Sequence, residues 1–257
     1  LPMGIAQASS TMNDYVVAFW IICVTAELLS LNNDKSPSSL IFAGMAAGFA
    51  FLTKPTSAAY LLPLGIWMII TAFRKLGIKP ALIWGALAVI IGIGINTFHL
   101  SRNLTTYGNM FDPGMSEMFS NELRTWQGTT SIFLKHLSVH AGTPWPKINA
   151  GEYLVLDKLH DVLGVDINDP RTTQVGKLRI SPPKYNEVRI FNPVHALLAL
   201  VSFFLVLVKF RRKDINTALL LFVNISALVI FSFFFKWQTF AVRYTLPFFV
   251  LLSPIVG

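Results

Sequence analysis

Apolar residues along this chain gather into long runs joined by short polar turns, and one polar stretch breaks the pattern. The first four runs cover Tyr15 to Leu31, Ser39 to Thr53, Ala58 to Phe73 and Pro80 to Leu100. Three more follow at Pro193 to Val208, at Thr217 to Phe235 and from near Tyr244 onward. A bilayer-crossing helix needs about 17–25 mostly apolar residues, so the runs predict a series of membrane spans, some at the short end. Gly44, Ala46, Ala47 and Gly48 in the second run are small enough to let a neighbouring helix approach closely.

The exception is Ser101 to Ile190, which holds no membrane-length apolar run. It is far longer than the roughly 4–6 residues of an ordinary connection. Ser116–Trp126 and Ser131–His140 mix apolar and polar residues as helices lying on a membrane surface do. In Glu152–Leu163 the apolar Leu154, Val155, Leu159, Val162 and Leu163 recur at helical spacing, and Gly164 follows as a stop. Pro144, Pro146, Pro170, Pro182 and Pro183 interrupt the rest.

Composition agrees with the pattern: 53% of residues are hydrophobic and 13% charged, against about a quarter charged in soluble domains. The expected fold is an all-α integral membrane protein, a multi-span helical bundle with a large outer loop carrying short surface helices. Its blocks are residues 1–100, 101–190 and 191–257. The net charge of +8 does not indicate a nucleic-acid partner, because the basic residues cluster at the ends of apolar runs instead of forming a stripe. Lys35, Arg74, Lys75, Lys79, Lys209, Arg211, Arg212 and Lys213 fall in turns on one side, which the positive-inside rule makes cytoplasmic. Asp14, Lys54, Arg102, Lys236, Arg243 and the long interval then lie outside. The lone Cys23 cannot form an internal disulfide. The chain opens at Leu1 without a signal-peptide pattern and ends inside an apolar stretch, so we expect an internal piece of a longer membrane protein.

Four outer positions carry candidate chemistry. Asp14 precedes the first span, Lys54 lies between the second and third, Arg102 ends the fourth and Arg243 enters the last. Singly, each reads as an interfacial anchor. Together, one carboxylate and several cations on one side suit an anionic ligand with an acid–base or metal-binding carboxylate nearby. His136 and His140, four apart, have no acidic or Cys partner at a telling spacing and are read as incidental residues of an interfacial helix. Glu187, Asn192 and His195 read as a helix cap plus interfacial histidine or, alternatively, as part of a site. Asn103-Leu104-Thr105 matches a glycosylation sequon by pattern only.

Several segments resemble the GT-C glycosyltransferases. They are Gln7 to Asp14 with the following span, Gly48-Phe49-Ala50-Phe51-Leu52-Thr53-Lys54-Pro55-Thr56, Arg102-Asn103 with Tyr107-Gly108-Asn109, and Arg243-Tyr244-Thr245-Leu246-Pro247. The branch they look most like holds bacterial and archaeal relatives of protein mannosyltransferases and of the lipid A aminoarabinose transferase. The resemblance implies an enzyme of the cell (inner) membrane that works on its periplasmic or extracellular face. It would move a sugar from a polyprenyl-phosphate donor to a hydroxyl acceptor on a glycan, lipid or protein, among membrane lipids. It implies a catalytic or metal-binding role for Asp14 and donor-phosphate contacts for Lys54, Arg102 and Arg243. It adds Asn103, Tyr107, Tyr244, Glu187 and His195 as substrate-binding candidates and leaves a divalent cation at Asp14 as an option. It also places the family's best-known catalytic acid in a first outer loop, upstream of Leu1. A transporter or flippase of anionic lipid-linked substrates is the alternative reading of the same cations. The long interval is expected to cover the donor as a lid, with its chemistry at the rim.

Overall fold

The structure is a computed structural model. It describes every residue except 1, 9–11, 112–115, 175, 181, 183–191, 210–214 and 257. The described chain is helical, with no strand and only two isolated bridges, Ser120 with Phe235 and Thr173 with Trp237. In order the helices are α1 Pro2–Ala8, α2 Asp14–Asp34, α3 Ser38–Thr53, α4 Ala58–Leu76 and α5 Ile78–Tyr107. The interval adds α6 Ser116–Phe119, α7 Trp126–Ser138 and α8 Pro146–Leu163, and α9 Pro193–Lys209, α10 Ile215–Phe234 and α11 Leu246–Val256 close the chain. Asp14–Asp34, Pro55–Leu76, Ile78–Tyr107 and Ile215–Phe234 are long and apolar enough to cross a bilayer; α3, α9 and Val242–Val256 are shorter apolar helices. This is an all-α integral membrane protein. The apolar runs and the helices coincide closely, because backbone groups in hydrocarbon must all pair within their own segment.

Two compact units divide the chain. One comprises Tyr15–Ser116, the other Leu1–Asp14 together with Glu117–Gly257.

The four-helix unit, Tyr15–Ser116, is closed by small residues. A Cβ built on Gly44 would lie 2.5 Å from the Ala88 carbonyl oxygen, and one on Gly48 would lie 3.0 Å from the Gly92 Cα. The matched steps, Gly44 to Gly48 and Ala88 to Gly92, make α3 and α5 parallel neighbours. Asn96 seals the contact by donating from Nδ2 to the carbonyls of Gly48 and Gly92, each at 2.9 Å. Glycine is required here by backbone approach, as the run of small residues foretells. The α5 helix outlasts its predicted span. Its 30 residues reach about 45 Å at 1.5 Å per residue, and it stops only where Gly108 takes a left-handed φ of 72° and donates its N–H to Leu104.

The loop-bearing unit, Leu1–Asp14 with Glu117–Gly257, is built around the turn after α10. The Lys236 N–H donates to Phe119, and the Asn121 N–H donates to Phe234. From the other side, the Trp237 N–H donates to Thr172, and the Gln174 N–H donates to Trp237. Residues 119–121 and 172–174 therefore grip both edges of Phe235–Trp237. This pairing stops the predicted Ser116–Trp126 helix at Phe119, because Asn121 turns its polar groups to the end of α10. The Asn121 Nδ2 donates to the carbonyls of Ser232 and Phe233, each at 3.2 Å, while Oδ1 accepts from the Leu123 N–H at 2.9 Å. Thr125 then caps α7 by accepting the Gly128 N–H, and α8 runs over Pro146–Leu163, with Gly164 at a φ of 69° ending it as expected.

Where α7 sits corrects the reading of its histidines. Gly128, Ser131, Ile132, Lys135 and His136 recur at three- and four-residue steps and are buried. Through Ile132 that stripe joins the core that holds Trp237, Val242, Leu246 and Phe249. His136 and His140 are 0% and 3% exposed; they are interior side chains, and the segment around them is part of the core that holds the α10–α11 connection.

Candidate functional site

Four of the nominated residues belong to the four-helix unit. Lys54 is the C-cap of α3 with extended backbone (φ −160°, ψ 112°), and Pro55–Ser57 follows as a 3-10 turn. Carrying the α3–α5 register forward sets Lys54 level with Phe98, one turn before Arg102. Arg102 and Tyr107 are exposed on the last two turns of α5, whereas Asn103 is buried. Asn103 donates from Nδ2 to the Met110 carbonyl at 3.1 Å and meets His99 Nε2 at 3.2 Å. It ties the turn at Gly108–Met110 back to α5, a role that keeps the Asn103 amide buried although Leu104 and Thr105 of the sequon are exposed. Arg102, Asn103 and Tyr107 thus sit on helix, past the apolar stretch, where the sequence suggested a loop.

The loop-bearing unit holds the others. Asp14 is the first residue of α2 and only 2% exposed, at the helix end where a carboxylate is favoured by the dipole. Arg243 and Tyr244 lie in the 3-10 turn Ala241–Thr245 that leads into α11. The Arg243 Nη1 points to the Met12 sulfur at 3.0 Å, two residues before Asp14, and Nη2 donates to the Tyr244 hydroxyl at 3.1 Å. The guanidinium also lies over the rings of Phe240 and Tyr244, at 5.7 and 5.0 Å. Its buried Nε makes no hydrogen bond, and no ion pair to Arg243 exists among the described residues. A half-buried cation held by a thioether, a phenol and two aromatic faces keeps most of its charge for another partner.

His195 is half-buried in the first turn of α9, and Asn192 before it accepts the Met3 N–H at 3.1 Å. Asn192 therefore caps α1 through its side chain. Glu187 lies outside the described residues.

Sequence reasoning missed a buried polar cluster beside this turn. Lys135, 0% exposed, donates to the hydroxyls of Thr172 and Thr173 at 2.9 Å each. Burial lowers its pKa to about 7, against the opposing pull of Asp169 and Asp166. Asp169 is itself held low, first by its hydrogen bond from Arg171. His136 and His140 are each pushed down to about 3 by burial, His136 also by His140 and Lys135. His160 is lowered as well, mainly by burial, and its Nε2 meets the Ser131 hydroxyl at 2.9 Å. Lys135 and its threonine partners are more than thirty residues apart, so no local pattern announces the contact.

Residues 2–97 match the model of the dolichyl-phosphate-mannose-protein mannosyltransferase family. The match indicates a membrane glycosyltransferase of the GT-C type. It ends within α5 and covers well under half of the chain. No curated protein matches the chain, and neither does any solved structure. Among the described residues no group of three His, Cys, Asp or Glu side chains gathers as a metal site.

Proposed function

We propose that the protein transfers a sugar from a polyprenyl-phosphate donor to a hydroxyl acceptor on the periplasmic or extracellular face of the cell membrane. The observation that carries this reading is Arg243. It is a half-buried guanidinium with no carboxylate partner among the described residues, turned toward the approach to Asp14 in a chain whose first part matches a lipid-phosphate-sugar transferase family. Arginine suits phosphate because its fork can donate two parallel hydrogen bonds to phosphate oxygens. In the reaction, the Asp14 carboxylate takes the proton of the acceptor hydroxyl as its oxygen bonds to the anomeric carbon. The bond between that carbon and the phosphate oxygen breaks, its electron pair stays on the phosphate, and Arg243 stabilises the charge that develops. The acceptor is a glycan, lipid or protein hydroxyl.

The test uses dolichyl-phosphate mannose as donor with the full chain in nanodiscs. Arg243→Gln weakens donor binding by about 10- to 100-fold, the loss of a charged hydrogen-bonding partner. Asp14→Asn binds donor normally but lowers sugar release by about 10²- to 10⁴-fold, as removal of a general base does. Normal release by the Asn variant removes Asp14 from the reaction. Donor movement across the bilayer without cleavage of the sugar–phosphate bond replaces the transferase by a carrier.

A further inference from the structure

Among the described residues Arg243 makes no ion pair that fixes its direction. Its partners are a thioether, a neighbouring phenol and two ring faces, so the backbone of the turn Ala241–Thr245 sets where the guanidinium points. That turn is fastened at its far end by Thr245. The Thr245 Oγ1 lies 2.6 Å from the Val242 carbonyl oxygen and 2.8 Å from His140 Nε2. A hydroxyl carries one hydrogen. The carbonyl can only accept, so that hydrogen goes to Val242 and closes the turn across Arg243. His140 must then donate from Nε2, which makes it a neutral ring protonated on that nitrogen. Its Nδ1 is buried with no hydrogen-bond partner, and the ring stands edge-on to Phe249 with centroids 4.9 Å apart.

We propose that His140 is a positioning residue for Arg243, acting through the Thr245 hydroxyl. The anchorage continues into the interval. His140 follows directly on α7, which Lys135 ties to Thr172 and Thr173, and the same threonine segment grips Trp237 at the other end of the α10–α11 connection. The interval thereby holds the arginine-bearing segment at both ends. Protonation of His140 would add a charge in a fully buried place, and burial keeps the ring neutral down to about pH 3. The consequence for donor binding rests on the reading of Arg243 given above.

The experiment compares His140→Phe, His140→Gln, Thr245→Val and Thr245→Ser in the full chain, with dolichyl phosphate as the binding probe. His140→Phe and Thr245→Val weaken binding about five- to tenfold, the effect of one lost hydrogen bond. His140→Gln and Thr245→Ser, which keep the donor and the hydroxyl, stay within about twofold. In an Arg243→Gln background His140→Phe adds no further loss, because its effect passes through the guanidinium. A second readout needs no donor: the rate at which phenylglyoxal modifies Arg243, followed by mass spectrometry, rises several-fold in His140→Phe and not in His140→Gln. If His140→Phe binds as the parent does while Arg243→Gln is impaired, or if the two losses add, the inference is overturned. If Arg243→Gln binds normally, the donor reading of Arg243 fails, and the phenylglyoxal rate alone decides: a raised rate supports the positioning role and an unchanged rate overturns it.

Discussion

The two units solve the same problem, closing a helical core, with different materials. In the four-helix unit the fully buried polar side chains are hydroxyls and amides, Thr25, Ser39, Ser57, Thr71, Asn96 and Asn103. In the loop-bearing unit they include Asp14, Lys135, His136, His140, His160, Asp169 and Lys236. Every buried Asp, Lys or His side chain among those described is in that second unit. Backbone contact through small residues needs no ionisable group and tolerates no added bulk. Buried amines and imidazoles pack tightly only while they stay neutral or fully hydrogen-bonded.

Acid separates the two most sharply. In the unfolded chain His136 and His140 take up protons near their ordinary value of 6.5, but in the native chain only near 3. Across that window the unfolded state binds more protons, so stability is lost as pH falls from 6.5 towards 3. Lys135 acts in the same sense higher up, gaining stability as pH rises from about 7 to 10.5. Hydrogen exchange read by mass spectrometry should show the α7 peptides losing protection on acidification while the α3 and α5 peptides keep theirs. Equal loss in both units would dissolve the contrast.

The converse probe is Gly44→Leu, whose side chain would run into the Ala88 backbone. It should cost the four-helix unit about 3 kcal/mol, the upper range for overpacking. Exchange would speed up in α3 and α5 and leave α7 unaltered; loosening in α7 would mean the units are not separable in this respect. The smallest effect belongs to Asn121→Ala. It frees two carbonyls at the end of α10 and the Leu123 N–H, at a cost of about 1 kcal/mol, visible as fraying confined to α10 and the start of α7.

The contrast also explains what could be read from the sequence. Spans and the close-packing face of α3, though not its partner α5, were legible because hydrocarbon dictates them locally: apolar runs are helices, and Gly44 and Gly48 sit one turn apart on a single face. Asp14, Lys54, Arg102 and Arg243 stood out as charges at the ends of such runs. The interior of α7 was not legible. A lysine and two histidines in a mixed segment look solvated, and only Thr172, Thr173, Phe231 and Thr245, far along the chain, make them interior. The same distance effect hid the break after Phe119, where a partner beyond position 230 overrides helix formation. Met12 beneath Arg243 could not be foreseen, since a thioether announces no charge partner.

The grip on Phe235–Trp237 also sets a timetable for synthesis. Its three strips, at 119–121, 172–174 and 235–237, are widely separated, and Asn192 must arrive before α1 has its cap. The four-helix unit can settle as soon as α5 enters the membrane, since its contacts are comparatively local. The interval, with its strips at 119–121 and 172–174 still unpaired, has to wait outside the bilayer until Trp237 has been made. Through that delay it is the part of the nascent chain most exposed to chaperones and proteases.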